Sequence, residues 1–161
     1  MATPEPVRPI DRWFDSYSSD HRHPVNQWIH VVCVPLILWS VIALLWCIPV
    51  PEGGLFRDGM WALFAMLAAW VFYRRNSRPI ALGMAVTFLL MALLTRLVHD
   101  MLGPQVLLYS AIVVFVLAWI GQFVGHKIEG AKPSFLTDIT YLLIGPAWVL
   151  AKLYRQMGWR W

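Results

Sequence analysis

Two clusters of ligating and hydrogen-bonding side chains stand about ninety residues apart: Tyr17, His21, Asn26 and His30 in the first, Gln122, His126 and Glu129 in the second. Imidazoles grouped with amides and a carboxylate form the kind of nitrogen and oxygen donor set that transition metals take. Each cluster flanks a long apolar segment. That placement suggests one metal site closed between two membrane helices.

The local spacing gives both halves a shared geometry. Asn26 and His30 are four apart and so share one helix face, while Pro24 favours a helix start nearby and leaves His21 on a preceding turn or short helix. From there His21 can fold back towards His30. Gln122, His126 and Glu129 fall at i, i+4 and i+7, a polar stripe on an apolar rod. Gly121 and Gly125 form a small-xxx-small pair on the neighbouring face, which lets another backbone come close. Polar stripes that meet at a close helix contact are where bundles build metal sites.

The elements that must position these groups are membrane helices. The chain has 161 residues, 59% of them apolar and 14% charged, with ten tryptophans; its mean hydropathy is +0.59. Those values lie far from the averages of soluble domains. The first 20 residues carry Pro4, Pro6, Pro9 and four acidic side chains without an apolar run, so they do not read as a cleavable signal peptide, and targeting falls to the first membrane helix. A disordered tail is expected to about residue 10, followed by a single helical membrane domain over residues 11–161.

The expected fold is an all-α integral membrane bundle of four transmembrane helices plus a C-terminal broken or interfacial helix. Ile29 to Val50 is apolar over 22 residues without a formal charge, enough for a hydrocarbon core of about 30 Å. Gly59 to Tyr73 is uncharged but short, and needs Leu55 and Phe56 or a thinned bilayer. Pro79 to Val98 opens on proline and carries Arg96, which can snorkel. Val106 to Val124 follows the turn signal Gly103-Pro104. Ile139 to Leu153 has Gly145-Pro146 at its centre and ends among Lys152, Arg155, Trp159 and Trp161, so it reads as broken or interfacial.

Basic residues set the expected orientation. With four spans and a cytoplasmic N-terminus, eleven of the thirteen Lys and Arg residues fall inside and only Arg57 and Arg96 outside. A fifth span would spoil the split. Both termini are then cytoplasmic, in a bacterial inner membrane or endoplasmic reticulum according to source. His21, His30 and His126 share one side, and His99 falls on the other. The positive charge forms no run with interleaved aromatics, which argues against nucleic acid. Cys33 and Cys47 lie fourteen residues apart on one helix, about 21 Å, too far for a disulfide. Simpler readings hold elsewhere: His23 as an interfacial residue, the tryptophans as an aromatic belt, Cys33 as a buried thiol, and Glu129 alternatively as the partner of Lys132.

At these residues the chain resembles the Mpo-type membrane proteins, fungal members of which are iron-dependent 2-hydroxy fatty acid dioxygenases. The likeness lies in Tyr17-x3-His21-x4-Asn26-x3-His30 followed by Pro35, and in Gln122-Phe-Val-Gly125-His126-x2-Glu129 followed by Pro133. The resemblance implies fatty acid α-oxidation: Fe(II) and O2 remove one carbon from a 2-hydroxy fatty acid. It implies His21, His30 and His126 as iron ligands, with Glu129 a fourth ligand or a support for His126. Asn26 and Gln122 then orient ligands or substrate, and Tyr17 hydrogen-bonds the carboxylate. Imidazole suits Fe(II), and three protein nitrogens leave positions open for substrate and oxygen. No carboxylate stands in an H-x-D/E arrangement with the first histidines, which leaves zinc as an alternative metal. The competing class is a non-catalytic metal- or lipid-binding scaffold, or a small proton-coupled transporter; the latter is disfavoured because the midplane offers only threonines, serines and Cys33.

Overall fold

The structure is a computed structural model that describes residues 8–51, 53–54, 56–133 and 140–159. The described residues form six α-helices and no strand: α1 Pro9–Ser19, α2 Pro24–Trp46, α3 Met60–Asn76, α4 Arg78–Leu102, α5 Pro104–Glu129 and α6 Tyr141–Gln156. Leu55, residues 134–139, Arg160, Trp161 and the first seven residues of the expected tail lie outside the described residues.

Three helices, α2, α4 and α5, are long and apolar enough to cross a membrane, where four were expected. The correction falls on α3. It has 17 residues and its last turn carries Arg74 and Arg75, so its whole length of about 25 Å falls short of a hydrocarbon core of about 30 Å. The charge count that placed both termini on one side assumed four crossings, and it no longer follows.

Proline and glycine punctuate the bundle as their chemistry requires. Proline takes a first-turn position in α1, α2, α4 and α5, where a missing N–H is harmless. Gly130, with φ at +76°, closes α5 and donates to the His126 carbonyl at 3.0 Å; a left-handed residue there satisfies an otherwise orphaned carbonyl.

The central pair is α2 with α5, packed antiparallel. His30 faces His126, Gly121 meets Cys33, and Ala43 packs with Leu107 and Ala111. The glycine pair does what its spacing predicts. A Cβ at Gly121 would stand 2.7 Å from Cys33 Sγ, and one at Gly125 would collide with Asn26 Oδ1.

Two helices at the histidine end go beyond expectation. In α1, Ile10, Phe14 and Tyr17 recur at i, i+4 and i+7 and are buried, a one-sided apolar stripe that docks on α6. The segment expected to break at Gly145-Pro146 is continuous helix. Its buried face, Ile144, Ala147, Trp148 and Ala151, joins the main core, and that packing outweighs the hydrogen bond that proline removes.

Candidate metal centre

The site forms where the N-terminal end of α2 meets the C-terminal end of α5 beneath the turn from α1. His21 lies on that turn, His30 two helical turns into α2, and His126 in the last turn of α5. All three are buried, at 1%, 1% and 5% exposure. One ring nitrogen from each falls within 4.8 Å of the others, and among the described residues these three alone form such a group. Ring centroids are 4.2 Å apart for His21 and His30, and 5.0 Å from His126 to each.

Backbone carbonyls orient two of the rings. His21 Nδ1 lies 2.5 Å from the Tyr17 carbonyl, and His30 Nδ1 lies 2.9 Å from the Asn26 carbonyl. A carbonyl only accepts, so each Nδ1 must carry the proton and each neutral ring presents a bare Nε2. Those two Nε2 atoms face each other at 3.0 Å. Two lone pairs at that separation repel unless a positive charge lies between or beside them. Burial, the largest influence on His21, holds its pKa below the usual 6.5, so a proton is disfavoured in that role. A metal cation resolves the conflict, and ligating histidines ordinarily anchor their second nitrogen in this way. The donor set therefore fits a metal ion.

The other expected residues divide. Tyr17 lies flat against His21, with centroids 4.1 Å apart and planes at 16°; burial raises its pKa well above the ordinary value, so the hydroxyl stays protonated. Gln122 is buried, lines the same cavity as the histidines, and its Nε2 has no hydrogen-bond partner there. His126 Nδ1 is likewise without a protein partner. Asn26 supports His30 with its backbone, while its side-chain Nδ2 donates to Glu129 Oε2 at 3.0 Å.

Glu129 stands apart from the imidazole group. Its oxygens accept from Arg22 N at 2.8 Å and His23 N at 2.9 Å, as well as from Asn26. It ties the end of α5 to the turn that carries His21 and to the start of α2. His99 lies at the opposite end of the bundle, in the last turn of α4, beside Asp100 at 3.0 Å. His23 caps α2 by accepting from Val25 N.

The sequence reading missed the contribution of α6. Trp148 is buried beside Tyr17 and His21, with centroids 5.3 and 5.9 Å away, and its Nε1 donates to Ser18 Oγ at 2.9 Å. Lys152 sits 4.0 Å over the Trp148 ring and donates to Gln27 Oε1, and Gln27 Nε2 in turn donates to the His21 carbonyl at 2.8 Å. The signal was present as Ile144, Ala147, Trp148 and Ala151, a helical stripe that the Gly145-Pro146 pair masked.

From the histidines a cavity of about 360 Å³ extends between α2, α5 and α6. Its head is polar, with the three histidines, Tyr17 and Gln122. Its walls are Val34, Ile37, Leu38 and Val41 from α2, Phe115 and Trp119 from α5, and Leu142, Leu143, Gly145 and Pro146 from α6. A few convergent polar groups on an apolar cleft are the usual form of a small-molecule site.

Comparison with known proteins agrees with the resemblance drawn from the motifs. A family model described as 2-hydroxy-palmitic acid dioxygenase Mpo1-like matches residues 7–157. The 2-hydroxy-palmitic acid dioxygenase MPO1 of Saccharomyces cerevisiae is 27% identical over 146 residues, which cover 88% of this chain and 78% of that protein. No solved structure matches. With a family match across nearly the whole chain, laid over both histidine clusters, the chain belongs to the Mpo1-like family.

Proposed function

We propose that this chain is an Fe(II)-dependent membrane dioxygenase that shortens a 2-hydroxy fatty acid by one carbon. The observation that carries the reading is the pair of bare Nε2 atoms 3.0 Å apart, with His126 beside them, at the polar head of an apolar cavity. The family and the name of the yeast relative supply the reaction class.

His21, His30 and His126 would hold the metal. When bound, Fe(II) supplies the one-electron chemistry with dioxygen that no side chain provides. The residues do the rest. The two carbonyl anchors hold the rings of His21 and His30 in one tautomer, ready to ligate without reorganisation. Gln122 Nε2, buried without a partner, offers a donor to the hydroxyl or carboxylate of the substrate, since a buried donor left unmet costs about 1–3 kcal/mol. Tyr17, kept protonated by burial, offers its O–H to the carboxylate. The walls of α2, α5 and α6 take the alkyl tail and keep water from the reacting carbons. Arg22 and Lys127, on the exposed surface of the same end, draw an acid head towards it.

The overall change balances without an external reductant: R–CH(OH)–COOH + O2 gives R–COOH + CO2 + H2O. The C1–C2 bond breaks, and four electrons pass from the substrate to dioxygen. Transport fits less well. The hydroxyls of Ser40, Thr87 and Thr95 donate back to carbonyls of their own helices rather than to one another.

The test is anaerobic purification in detergent with reductant, measurement of bound iron and zinc, and then addition of a 2-hydroxy fatty acid and O2. The reading expects iron and an acid one carbon shorter. Bound zinc, or iron without any turnover, would leave a metal-binding scaffold in its place.

A further inference from the structure

Resting on that reading, we propose that the cavity between α2, α5 and α6 measures the alkyl tail of the substrate, and that Val41 and Phe115 at its far end set the length it accepts. The cavity is bounded along α2 by His30 and Val41, eleven residues apart, and along antiparallel α5 by His126 and Phe115, again eleven apart. At about 1.5 Å per residue both walls give a depth of about 16 Å. Half a hydrocarbon core of about 30 Å, the depth reached by the tails of one leaflet, is about 15 Å. The match in depth goes with a match in level: the histidines lie near the helix ends, where a carboxylate sits, and at the far end Phe115 stands near the middle of α5.

The cavity is also open sideways. Both α5 and α6 pack on α2, and the cavity fills the gap between them, with Val41 at 37% and Leu142 at 42% exposure on its margin. A long-chain acid can therefore slide in from its own leaflet with head and tail already at the right depths. Such a tail has left water before it binds, so entry brings little hydrophobic gain. Selection arises instead at the far end, where the side chains of Val41 and Phe115 narrow the cleft and methylenes that pass them must displace one or the other.

The experiment is a competition. Saturated 2-hydroxy acids of twelve to twenty carbons are supplied together to the iron-loaded protein in lipid nanodiscs, and product ratios give relative kcat/KM whatever fraction of protein is folded. Val41→Trp should shift the preference to shorter acids and lower the sixteen-to-twelve-carbon ratio roughly 5- to 150-fold, the range expected for overpacking. Phe115→Ala should shift it to longer acids. Profiles unchanged in both variants would overturn the proposal. A second arm uses a sixteen-carbon fatty acid without the 2-hydroxyl, bearing a diazirine at its terminal carbon. Photolabelling of peptides that contain Val41 or Phe115 supports the assignment, and labelling spread over outward-facing Leu89 and Leu93 of α4 contradicts it. Wild-type protein that turns over no 2-hydroxy acid would defeat the reaction reading alone, and the photolabel would still decide where a tail lies.

Discussion

Replacing Glu129 with glutamine separates two roles that the sequence leaves open, metal ligand and structural clamp. The carboxylate accepts from Arg22 N, His23 N and Asn26 Nδ2 at 2.8, 2.9 and 3.0 Å. Glutamine keeps one accepting oxygen and turns the other into an amino group that faces a donor, so at least one bond is lost and the rest lose their charge. Hydrogen bonds to a charged group contribute about 1.5–3 kcal/mol and neutral ones about 0.5–1.5. One loss and two weakenings total about 3.5–6 kcal/mol, which partial exposure to water reduces to about 2. For a chain of this size that corresponds to a fall of about 4–8 °C in the unfolding midpoint. The assay is thermal unfolding in detergent, with bound metal measured on the same sample at low temperature. The clamp predicts a lowered midpoint with metal content unchanged. An unchanged midpoint with metal lost would make Glu129 a ligand and refute the reasoning.

Three further outcomes follow from the same geometry. Gly125→Leu should drive α2 from α5, because even a Cβ there meets Asn26 and stands 3.3 Å from Ile29 Cγ2; overpacking of about 1–3 kcal/mol should appear as a lower midpoint together with weaker metal binding, and retention of both would count against the close contact. Trp148→Ala should cost about 3–5 kcal/mol, as large-to-small changes in a core do, and should loosen the metal as well, since Trp148 backs both Tyr17 and His21; unfolding by denaturant and metal affinity test the two parts. Acid should destabilise the metal-free protein. The pKa of His21 is held below 6.5 in the fold by burial, so the unfolded chain binds the proton more readily, and stability that is full above pH 6.5 declines as pH falls below it towards the folded value. A midpoint that is flat from pH 7.5 to 5.5 would contradict this.

How much of this was legible in sequence differs by element. The two clusters and the close approach at Gly121 and Gly125 could be read because each rests on helical spacing within one segment; their convergence was inferred from a count of four spans, and it holds in the structure because α2 and α5 run antiparallel. The role of Glu129 could not. Two of its partners are backbone N–H groups of Arg22 and His23, and backbone donors leave no trace in residue identity. For α6, Gly145-Pro146 argued locally for a break, whereas burial of Ile144 and Trp148 against other helices decided for continuity, a tertiary effect that no window of sequence contains. In α1 the stripe of Ile10, Phe14 and Tyr17 covers only two turns, too short to stand out beside a proline-rich start. The length of α3 misled in the opposite direction, because lack of charge is not the same as reach.

The central claim is that His21, His30 and His126 hold one metal ion at the head of the tail cavity. The most direct test is metal stoichiometry after anaerobic loading with Fe(II), for the wild-type chain and for single His→Ala variants at 21, 30, 126, 23 and 99. The account predicts one ion per chain in the wild type and in His23→Ala and His99→Ala, and loss of the ion in the other three with the helical circular dichroism preserved. An ion retained in His30→Ala, or lost in His99→Ala, would contradict it.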